Sequence, residues 1–353
     1  MGAAARLGQL RKQIEDLVRK SPGRNRGGSP PSHHADRGRE AADPHQIPAP
    51  GWKDVLWRTW QDLSDKNLFL VAGGVTYSAL LALFPGLAAL VSIYGLLLDP
   101  AQIEQDVASL AGVLPEQTRA MLQQELHQLA SASNGALGIS AIVGLLFALW
   151  TASRGMSGLI TALNIAYGEK EQRSFLKFNL LALGLTLGML LGGIVGILLV
   201  AVLPAVVTTI GPSSITKWLL LILEWPLLMA FMMAGLAVLY RYGPDRDEPQ
   251  WRWVSPGTVT ATVLWIIGSI GFSAYVANFS GYDKTYGTLG GAIVLLTWLY
   301  LSSLIVLIGA DINAQSERQT RKDTTRGTPQ PMGTRGAQAA DTLGASADEK
   351  DGR

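Results

Sequence analysis

Six long apolar runs dominate the middle of the chain. They cover residues 68–98, 137–162, 178–207, 218–240, 256–277 and 289–310. A helix needs about 20 residues to cross the hydrocarbon core of a bilayer, and each run is long enough to do so. Unbroken runs of this length do not show the one-sided periodicity of soluble amphipathic helices. The pattern predicts an all-α, polytopic membrane protein with six transmembrane helices.

Glycine and proline in two of the runs predict local features of those helices. The first run has Pro85 and Gly86 near its middle, and proline removes an internal hydrogen bond, so we expect a kink or break there. The third run has four glycines at a spacing of four, which lets another helix approach closely: Gly184, Gly188, Gly192 and Gly196. We interpret this face as a packing seam inside the bundle or between subunits, with a substrate-lining groove as the alternative.

The two ends of the chain differ from its middle. Residues 1–50 and 312–353 are rich in Gly, Pro, Ser and charge, and they hold few large apolar residues. Such segments bury too little apolar surface to offset the entropy of ordering. The sequence therefore predicts disordered tails at 1–50 and 312–353 around a membrane domain at 51–311.

Amphipathic segments flank the first run. Residues 51–67 place aromatic and aliphatic side chains on one face and charges on the other, which is typical of an interfacial helix at the cytoplasmic surface: Trp52, Val55, Leu56, Trp60 and Leu63. On the far side, residues 99–136 have helical apolar spacing around Pro115. We expect an extracytoplasmic helical loop there, and a plain surface loop is the alternative.

The distribution of basic residues predicts the orientation. The formal net charge is only +2, but 26 of the 29 Lys and Arg fall before the first run, in the 2–3 region, in the 4–5 region and after the sixth run. The other side holds only Arg119, Lys217 and Lys284. By the positive-inside rule, both termini should be cytoplasmic.

The composition argues against catalysis. The chain has no Cys, which excludes disulfides, thiol chemistry and thiolate metal sites. Of its four His, three lie in the predicted N-terminal tail and His127 stands alone. We find no metal-hydrolase, nucleophile-elbow or phosphate-loop motif, so we predict no enzyme activity, catalytic residue, metal or cofactor. Anionic lipid is a nearer partner than nucleic acid for cations beside a membrane.

Ionisable residues inside the runs are the main candidates for a site. Glu224, in the fourth run, is a candidate for proton coupling or headgroup contact, or else an interfacial carboxylate. Arg154, in the inner part of the second run among Thr, Ser and Gly, could bind phosphate bidentately or snorkel to the headgroups. Asp311, at the inner end of the sixth run, is expected to pair with Arg241 or Arg154.

Further polar residues complete the candidate binding set. Asn164 follows Arg154 in the second run, and Tyr77 lies in the first run. Asp283 and Lys284 lie in the polar, Gly-rich segment between the fifth and sixth runs, which suits a tight turn or a re-entrant stretch that lines a cavity.

Several stretches resemble one known family in order and spacing. They are AGGVTYSALLALFPGLAALVSIYG, WTASRGMSGLITALNIAYGEKEQRSFLK, VLYRYGPDRDEPQWRWVSPGTVTATVLW and FSAYVANFSGYDKTYGTLGGAIVLLTWLYLSSLIVLIGADINAQSE. From about Trp52 to Glu317 the chain resembles the YihY/BrkB family of bacterial inner-membrane proteins. That resemblance implies six helices with both termini inside, an association with virulence, and a "ribonuclease BN" label regarded as mistaken. The family's molecular activity is unsettled, and no catalytic residues come with the resemblance.

Two functional classes follow from these patterns. The first is transport or lipid handling in the bacterial inner membrane, with anionic or phosphate-bearing headgroups bound in a polar intramembrane cavity. The second is an envelope assembly or scaffold protein, a homo-oligomer or a partner of other envelope proteins, with the glycine face as its interface. A membrane-bound hydrolase is a remote third.

Overall fold

The computed structural model describes residues 37–97, 135–209, 214–278 and 288–349, with side chains over 37–89, 142–196, 226–277 and 290–348. Within these ranges the chain is helical, with one isolated antiparallel bridge between Pro249 and Thr325. The helices described there are α1 (Ala49–Asp65), α2 (Leu68–Leu97), α3 (Gly135–Tyr167), α4 (Phe175–Thr209), α5 (Ser214–Tyr242), α6 (Trp251–Asn278), α7 (Thr288–Glu317) and the short α8 (Gln338–Asp341). The all-α prediction is confirmed.

Five helices are long and apolar enough to cross a membrane within the described part of the chain. Their apolar stretches are Leu68–Ala89, Ile142–Tyr167, Phe175–Gly196, Trp251–Ala277 and Gly290–Glu317. Helix α5 contributes a shorter apolar stretch, Pro226–Tyr242. The chain is therefore a multi-pass membrane protein, and the count of six spans stays a prediction.

Close helix contacts in the bundle are made through glycine. On α3, a methyl group at Gly155 would lie 2.6 Å from Ala82 Cβ of α2, and one at Gly158 would lie 2.7 Å from Ser78 Oγ. On α6, Gly257 lies directly against the Gly309 carbonyl of α7 and donates its N–H to Asn313 Oδ1 at 2.7 Å. Small residues let helix backbones approach in this way inside a membrane bundle.

The predicted glycine seam on α4 is only partly used within the bundle. A methyl group at Gly192 would lie 3.2 Å from Phe231 Cζ of α5, and one at Gly196 would lie 4.0 Å from the same ring. In the part of the chain that is described, no atom lies within 4 Å of a methyl group placed at Gly184 or Gly188. For these two glycines, the alternative of an interface between subunits stays a prediction.

Helix α2 runs unbroken through Pro85, and α5 and α6 likewise contain Pro226 and Pro256. The break considered for the first run is therefore absent. A proline costs one internal hydrogen bond, and a long helix held on both sides of it by its neighbours tolerates that loss. A kink at Pro85 and Gly86 stays a prediction.

Both chain ends differ from the disordered tails that composition predicts. Helix α7 continues to Glu317, and residues 37–48 and 318–349 fold against the ends of the helices. We call the assembly of residues 37–67, 168–174, 243–250 and 318–349 the polar cap. Composition failed here because buried arginines bonded to backbone carbonyls order these residues, with little apolar burial. Residues 1–36 and 350–353 lie outside the described residues.

Helix α1 belongs to the polar cap and differs in detail from the predicted interfacial helix at 51–67. Val55 and Leu63, placed on the membrane-facing side by the sequence, are buried in the protein, whereas Leu56 and Trp60 are exposed. The helix ends at Asp65, and Asn67, with a φ of 52°, turns the chain into α2. The predicted helical loop at 99–136 lies outside the described residues except for its last two, which begin α3.

Candidate functional site: the polar cap and the outer face of α2 and α3

Arg58 of α1 is the centre of the polar cap. Its guanidinium donates to Gln315 Oε1 at 2.8 Å, to Gln315 O at 2.9 Å, to Gln319 Oε1 at 2.8 Å and to Ala345 O at 2.8 Å. Burial and the nearby charges of Arg39 and Arg318 lower the pKa of Arg58 to about 10. One buried cation thus joins α1, the end of α7 and the C-terminal segment through neutral acceptors.

Two further buried arginines hold the C-terminal segment in the same manner. Arg39 donates to Gly344 O at 2.7 Å and to Arg318 O at 3.3 Å. Arg335 donates to Ala340 O at 2.7 Å and to Arg321 O at 2.8 Å. Because each guanidinium has five N–H donors in a rigid fork, it can satisfy several carbonyls of a segment that has no regular structure.

Arg246 and Glu317 form a fully buried ion pair. The two guanidinium nitrogens of Arg246 donate to the two Glu317 oxygens at 2.9 and 2.7 Å, and Thr324 Oγ1 donates to Glu317 at 2.6 Å. The guanidinium carbon lies 5.3 Å from the centroid of the Tyr167 ring. Burial opposes the charge, but Glu317 holds the pKa of Arg246 above its ordinary value. The pair joins the 243–250 loop to the end of α7.

Asp311 pairs with Lys66, so the predicted pairing with Arg241 or Arg154 is wrong. Lys66 Nζ lies 2.6 Å from Asp311 Oδ1 and 2.7 Å from Asp62 Oδ2. Arg241 instead binds Glu248 at 2.7 Å and stacks on Trp251. The tight turn at residues 66 and 67 explains why Asp311 pairs with Lys66, because the turn brings the Lys66 side chain close to the last part of α7.

Asn164 is a structural residue of this region. It is buried, its Nδ2 donates to Glu171 Oε2 at 2.9 Å, and its Oδ1 accepts from the N–H of Asp245 at 2.7 Å. It therefore ties the end of α3 to two loops of the polar cap. Its predicted part in substrate binding has no support from these contacts.

Arg154 lies away from the polar cap, within the apolar stretch Ile142–Tyr167 of α3. It is exposed, and its guanidinium carbon lies 5.0 Å from the centroid of the Trp150 ring. Among the described residues, no carboxylate pairs with it. At 1.5 Å per residue it lies about 20 Å from Tyr167, which ends α3 at the polar cap.

Exposed aromatic residues mark where the membrane meets the polar cap. Trp60, Phe175 and Trp251 are all more than half exposed, at the end of the bundle that joins the cap. Aromatic side chains of this kind concentrate at the boundary between lipid and water. These three side chains therefore indicate the level at which the cap end of the bundle meets the lipid.

Tyr77 and Arg154 lie on the same outer side of the α2–α3 pair. Helix α2 leaves the polar cap and α3 returns to it, so the two helices are antiparallel, and Ser78 and Gly155 lie at their contact. Tyr77 directly precedes Ser78, and Arg154 directly precedes Gly155. Successive residues of a helix are rotated by about 100° around its axis, so each side chain points away from the contact. In an antiparallel pair these rotations lead to the same side, and both residues are exposed.

The side chains of the remaining predicted site residues lie outside the described part of the chain. Glu224 belongs to α5, but its side chain lies outside the described residues. Asp283 and Lys284 lie in a segment that is also outside them. In the part of the chain that is described, no group of three His, Cys, Asp or Glu could hold a metal ion.

Sequence reasoning missed the residues that build the polar cap, chiefly Lys66, Arg58, Arg246 and Glu317. A signal was present, because the charged stretch YGPDRDEPQW and the end of α7, ADINAQSE, hold an unusual density of polar residues beside apolar runs. That density indicates a polar network, but spacing alone does not tell which residues pair across it.

Acid is expected to release the C-terminal segment from the polar cap. Burial by itself would raise the pKa of Asp54, but the N–H of Ala347 and the Arg37 guanidinium hold it below 3.8. Glu171 and Asp323 also have lowered pKa values for this kind of reason, since Arg173 and backbone N–H groups bind them. A carboxylate with a lowered folded pKa contributes stability above its ordinary pKa, and that stability is lost as the pH falls through the folded value.

Spin labelling measures this release cleanly, because the chain has no native Cys. A label at exposed Ala345→Cys should be immobilised at neutral pH and become mobile only at a pH below the ordinary pKa of an aspartate. In an Asp54→Asn background it should be more mobile already at neutral pH. A spectrum that stays unchanged far into the acid range would contradict the assignment.

Comparison with known proteins agrees with this architecture. A family model described as "Virulence factor BrkB" matches residues 59–333. The ribonuclease-like protein YfkH of Bacillus subtilis is 32% identical over 248 residues, covering 68% of this chain and 86% of the relative. A UPF0761 membrane protein of Idiomarina loihiensis is 28% identical, covering 73% and 88%.

A second UPF0761 membrane protein, from Rhodospirillum centenum, is 30% identical over 258 residues, which make up 71% of this chain but only 54% of the relative. No solved structure matches the chain. The family match covers most of the chain, including α2 to α7 and about half of the polar cap, and the resemblance found in the sequence is confirmed. The chain belongs to the BrkB family, as a multi-pass protein of the bacterial inner membrane.

Proposed function

We propose that this protein binds and moves lipids with anionic or phosphate-bearing headgroups, using the outer face of α2 and α3. The observation that carries the proposal is Arg154, exposed within a membrane-spanning stretch with no carboxylate partner among the described residues. Trp150 lies beside it and Tyr77 lies on the same side of the helix pair.

The energetic cost of Arg154 supports a functional role. Placing an arginine at the centre of a membrane helix costs about 2.5–3.5 kcal/mol on insertion scales. Snorkelling reduces that cost near the headgroups, but Arg154 is about 20 Å along α3 from Tyr167 at the polar cap. A phosphate headgroup would offset the cost, because guanidinium binds phosphate with two parallel hydrogen bonds.

The neighbouring hydroxyls fit a polar path along α3. Thr151, Ser157 and Thr161 each donate to a carbonyl of their own helix, at 2.8, 3.0 and 2.9 Å. Their protons are thus occupied, while their oxygens can still accept bonds from a headgroup or from water. A helix face of this kind lets a polar headgroup pass the hydrocarbon core at reduced cost.

The proposal includes the topology and the finer role. We infer six spans, with α5 added to the five described above. We also infer that the polar cap is cytoplasmic, because 26 of the 29 Lys and Arg lie on its side of the membrane. We further infer that the protein is not an enzyme and does not act on nucleic acid. Any directed movement would then need an ion gradient or a partner, since the sequence carries no recognisable nucleotide-binding motif.

Reconstituted liposomes test the lipid-handling role. Purified protein should accelerate the exchange between leaflets of a fluorescent lipid with an anionic phosphate headgroup. We expect Arg154→Ala to reduce that rate at least about tenfold, the factor that 1.4 kcal/mol represents, because it removes the charge-assisted bonds to phosphate. Arg154→Lys should retain an intermediate rate, since it keeps the charge and loses the bidentate geometry.

Arg252→Ala is the matched control, because Arg252 is an exposed arginine at the cap end of α6. It should exchange lipid as fast as the unaltered protein. A lack of exchange by the unaltered protein would refute the proposal, and equal rates for Arg154→Ala and the control would remove Arg154 from it.

One observation favours the second function, an envelope assembly protein. Among the described residues, no atom lies within 4 Å of a methyl group placed at Gly184 or Gly188 on α4. Leu180 and Leu191, nearby on the same helix, are exposed. Such a face is suited to close packing against a helix from outside the chain. Isolation of a stoichiometric partner, lost on Gly188→Leu, together with no lipid exchange, would support this function over the first.

A further inference from the structure

One buried cation serves two carboxylates where the polar cap meets the bundle. Lys66 Nζ contacts Asp62 Oδ2 at 2.7 Å, Asp311 Oδ1 at 2.6 Å and Ala166 O at 2.5 Å. The ammonium group donates hydrogen bonds to Asp311 and Ala166 O, and it forms an ion pair with Asp62. The cluster of Lys66, Asp62 and Asp311 therefore has one positive charge and two groups that could each be negative.

The second oxygen of Asp311 is the unusual atom in this cluster. Asp311 is fully buried, and among the described residues its Oδ2 has no hydrogen-bond donor. Asp62 and Asp311 are neighbours, because both carboxylates contact the ammonium group of Lys66. Since an ionised carboxylate only accepts, the two groups can hydrogen-bond to each other only when one of them carries a proton.

The elements around the cluster offer no direct ionic partner that would replace such a proton. From α1, Arg58 acts on Asp62 through Gln315, whose Nε2 donates to Asp62. From α3 comes the uncharged Tyr167, whose hydroxyl also lacks a partner among the described residues.

The other helices packed on α7 add no charge at this point. Helix α2 has no charged residue, and α6 has only Arg252 at its start, bonded to Gln250. Asp341 of α8 is bonded to the N–H of Gly333 and of Arg335. Glu317 lies further along α7, at its end, and its charge is neutralised by Arg246.

We propose that Asp62 and Asp311 share one exchangeable proton beside Lys66, forming an internal proton-binding site. Two carboxylates in contact do not both ionise in a buried place, because the uncompensated charge costs more than holding a proton. With the proton bound, the cluster is neutral and all of its close contacts are satisfied. With the proton lost, a negative oxygen of Asp311 remains buried and unpaired.

The position of the site makes it a proton-dependent link between helices. Lys66 bonds the start of α2 to the end of α3 through Ala166 O and to α7 through Asp311. Loss of the proton would strengthen the hold of Lys66 on the two carboxylates and break the bond between them. The site can therefore change the packing of three helices in response to pH, whatever substrate the protein moves.

Infrared spectroscopy of the protein in lipid nanodiscs tests the site without any transport assay. Protein with ¹³C-labelled aspartate carboxyls should show the carbonyl stretch of a protonated carboxylic acid, shifted by the label. The band of the shared proton should persist above the pH at which exposed aspartates have ionised and vanish as the pH is raised further. In that pH range it should be absent from Asp311→Asn. Lys66→Met should move its disappearance to higher pH, because removing the ammonium disfavours the ionised form.

Asp62→Asn provides a second variant if Asp311→Asn does not fold, since removing either carboxyl removes the shared proton. Asp65→Asn is the control, because Asp65 is an exposed aspartate at the end of α1. It should leave the band unchanged. An unaltered protein without the band, or a band that persists in both folded variants, would overturn the proposal.

Discussion

Replacing Glu317 with alanine is expected to destabilise the folded protein by about 3–5 kcal/mol, the usual cost of removing one partner from a buried ion pair. Arg246 would keep its charge in a fully buried place and lose both of its bonds to the carboxylate. Thr324 would lose its acceptor as well. We expect the unfolding midpoint in detergent or bicelles to fall and the polar cap to detach from α7.

Glu40→Ala is the matched control, because Glu40 forms an exposed pair with Arg321 at 3.8 Å. Exposed pairs contribute about 0–1 kcal/mol, so this variant should unfold almost as the unaltered protein does. A double-mutant cycle with Arg246→Met would isolate the coupling between the two charges. Equal stabilities for Glu317→Ala and Glu40→Ala would contradict the structural role of the pair.

Replacing Gly257 with alanine is expected to force α6 and α7 apart, at a cost of about 3 kcal/mol or more. The added methyl group would overlap the carbonyl oxygen of Gly309, which is backbone and cannot rotate away. It would also lie 2.7 Å from the Asn313 side chain, which accepts the N–H of Gly257. We expect loss of monodisperse protein or a much lower unfolding midpoint.

Gly271→Ala, on the same helix, separates this steric effect from helix propensity. Nothing lies within 4 Å of a methyl group at Gly271, so the change should be neutral or stabilising by up to about 1 kcal/mol. If both alanine variants have the same unfolding midpoint, the close contact between Gly257 and Gly309 does not hold α6 against α7.

Apolar patterning was sufficient to predict the class of fold. Runs of about 20 apolar residues have one stable solution in lipid, the helix, because each backbone group must be satisfied within its own segment. The helices α2, α3, α4, α6 and α7 follow from this reasoning, and their predicted ends agree with the structure to within several residues. The membrane location and the family resemblance are confirmed in the same way.

The candidate site was predicted only in part. Arg154 stood out because a charge inside an apolar run is costly wherever the helix packs, and the structure leaves it exposed within a membrane-spanning stretch. Binding by Asn164 stays a prediction, and spacing did not show its protein partners, Glu171 and Asp245, because they belong to two different loops. A polar residue inside a run indicates that a partner exists, and the sequence does not tell whether that partner is protein or ligand.

The sequence by itself determined that this chain lies in a membrane as a set of helices, because hydropathy acts on each segment separately. It also determined which side bears the basic residues, on which the proposed orientation rests. Only the tertiary structure decided that Asp311 meets Lys66, that Arg58 orders the C-terminal segment, and that Gly257 meets Gly309. These contacts join residues far apart in the chain, and their partners are selected by the packing of whole helices, which no local pattern encodes.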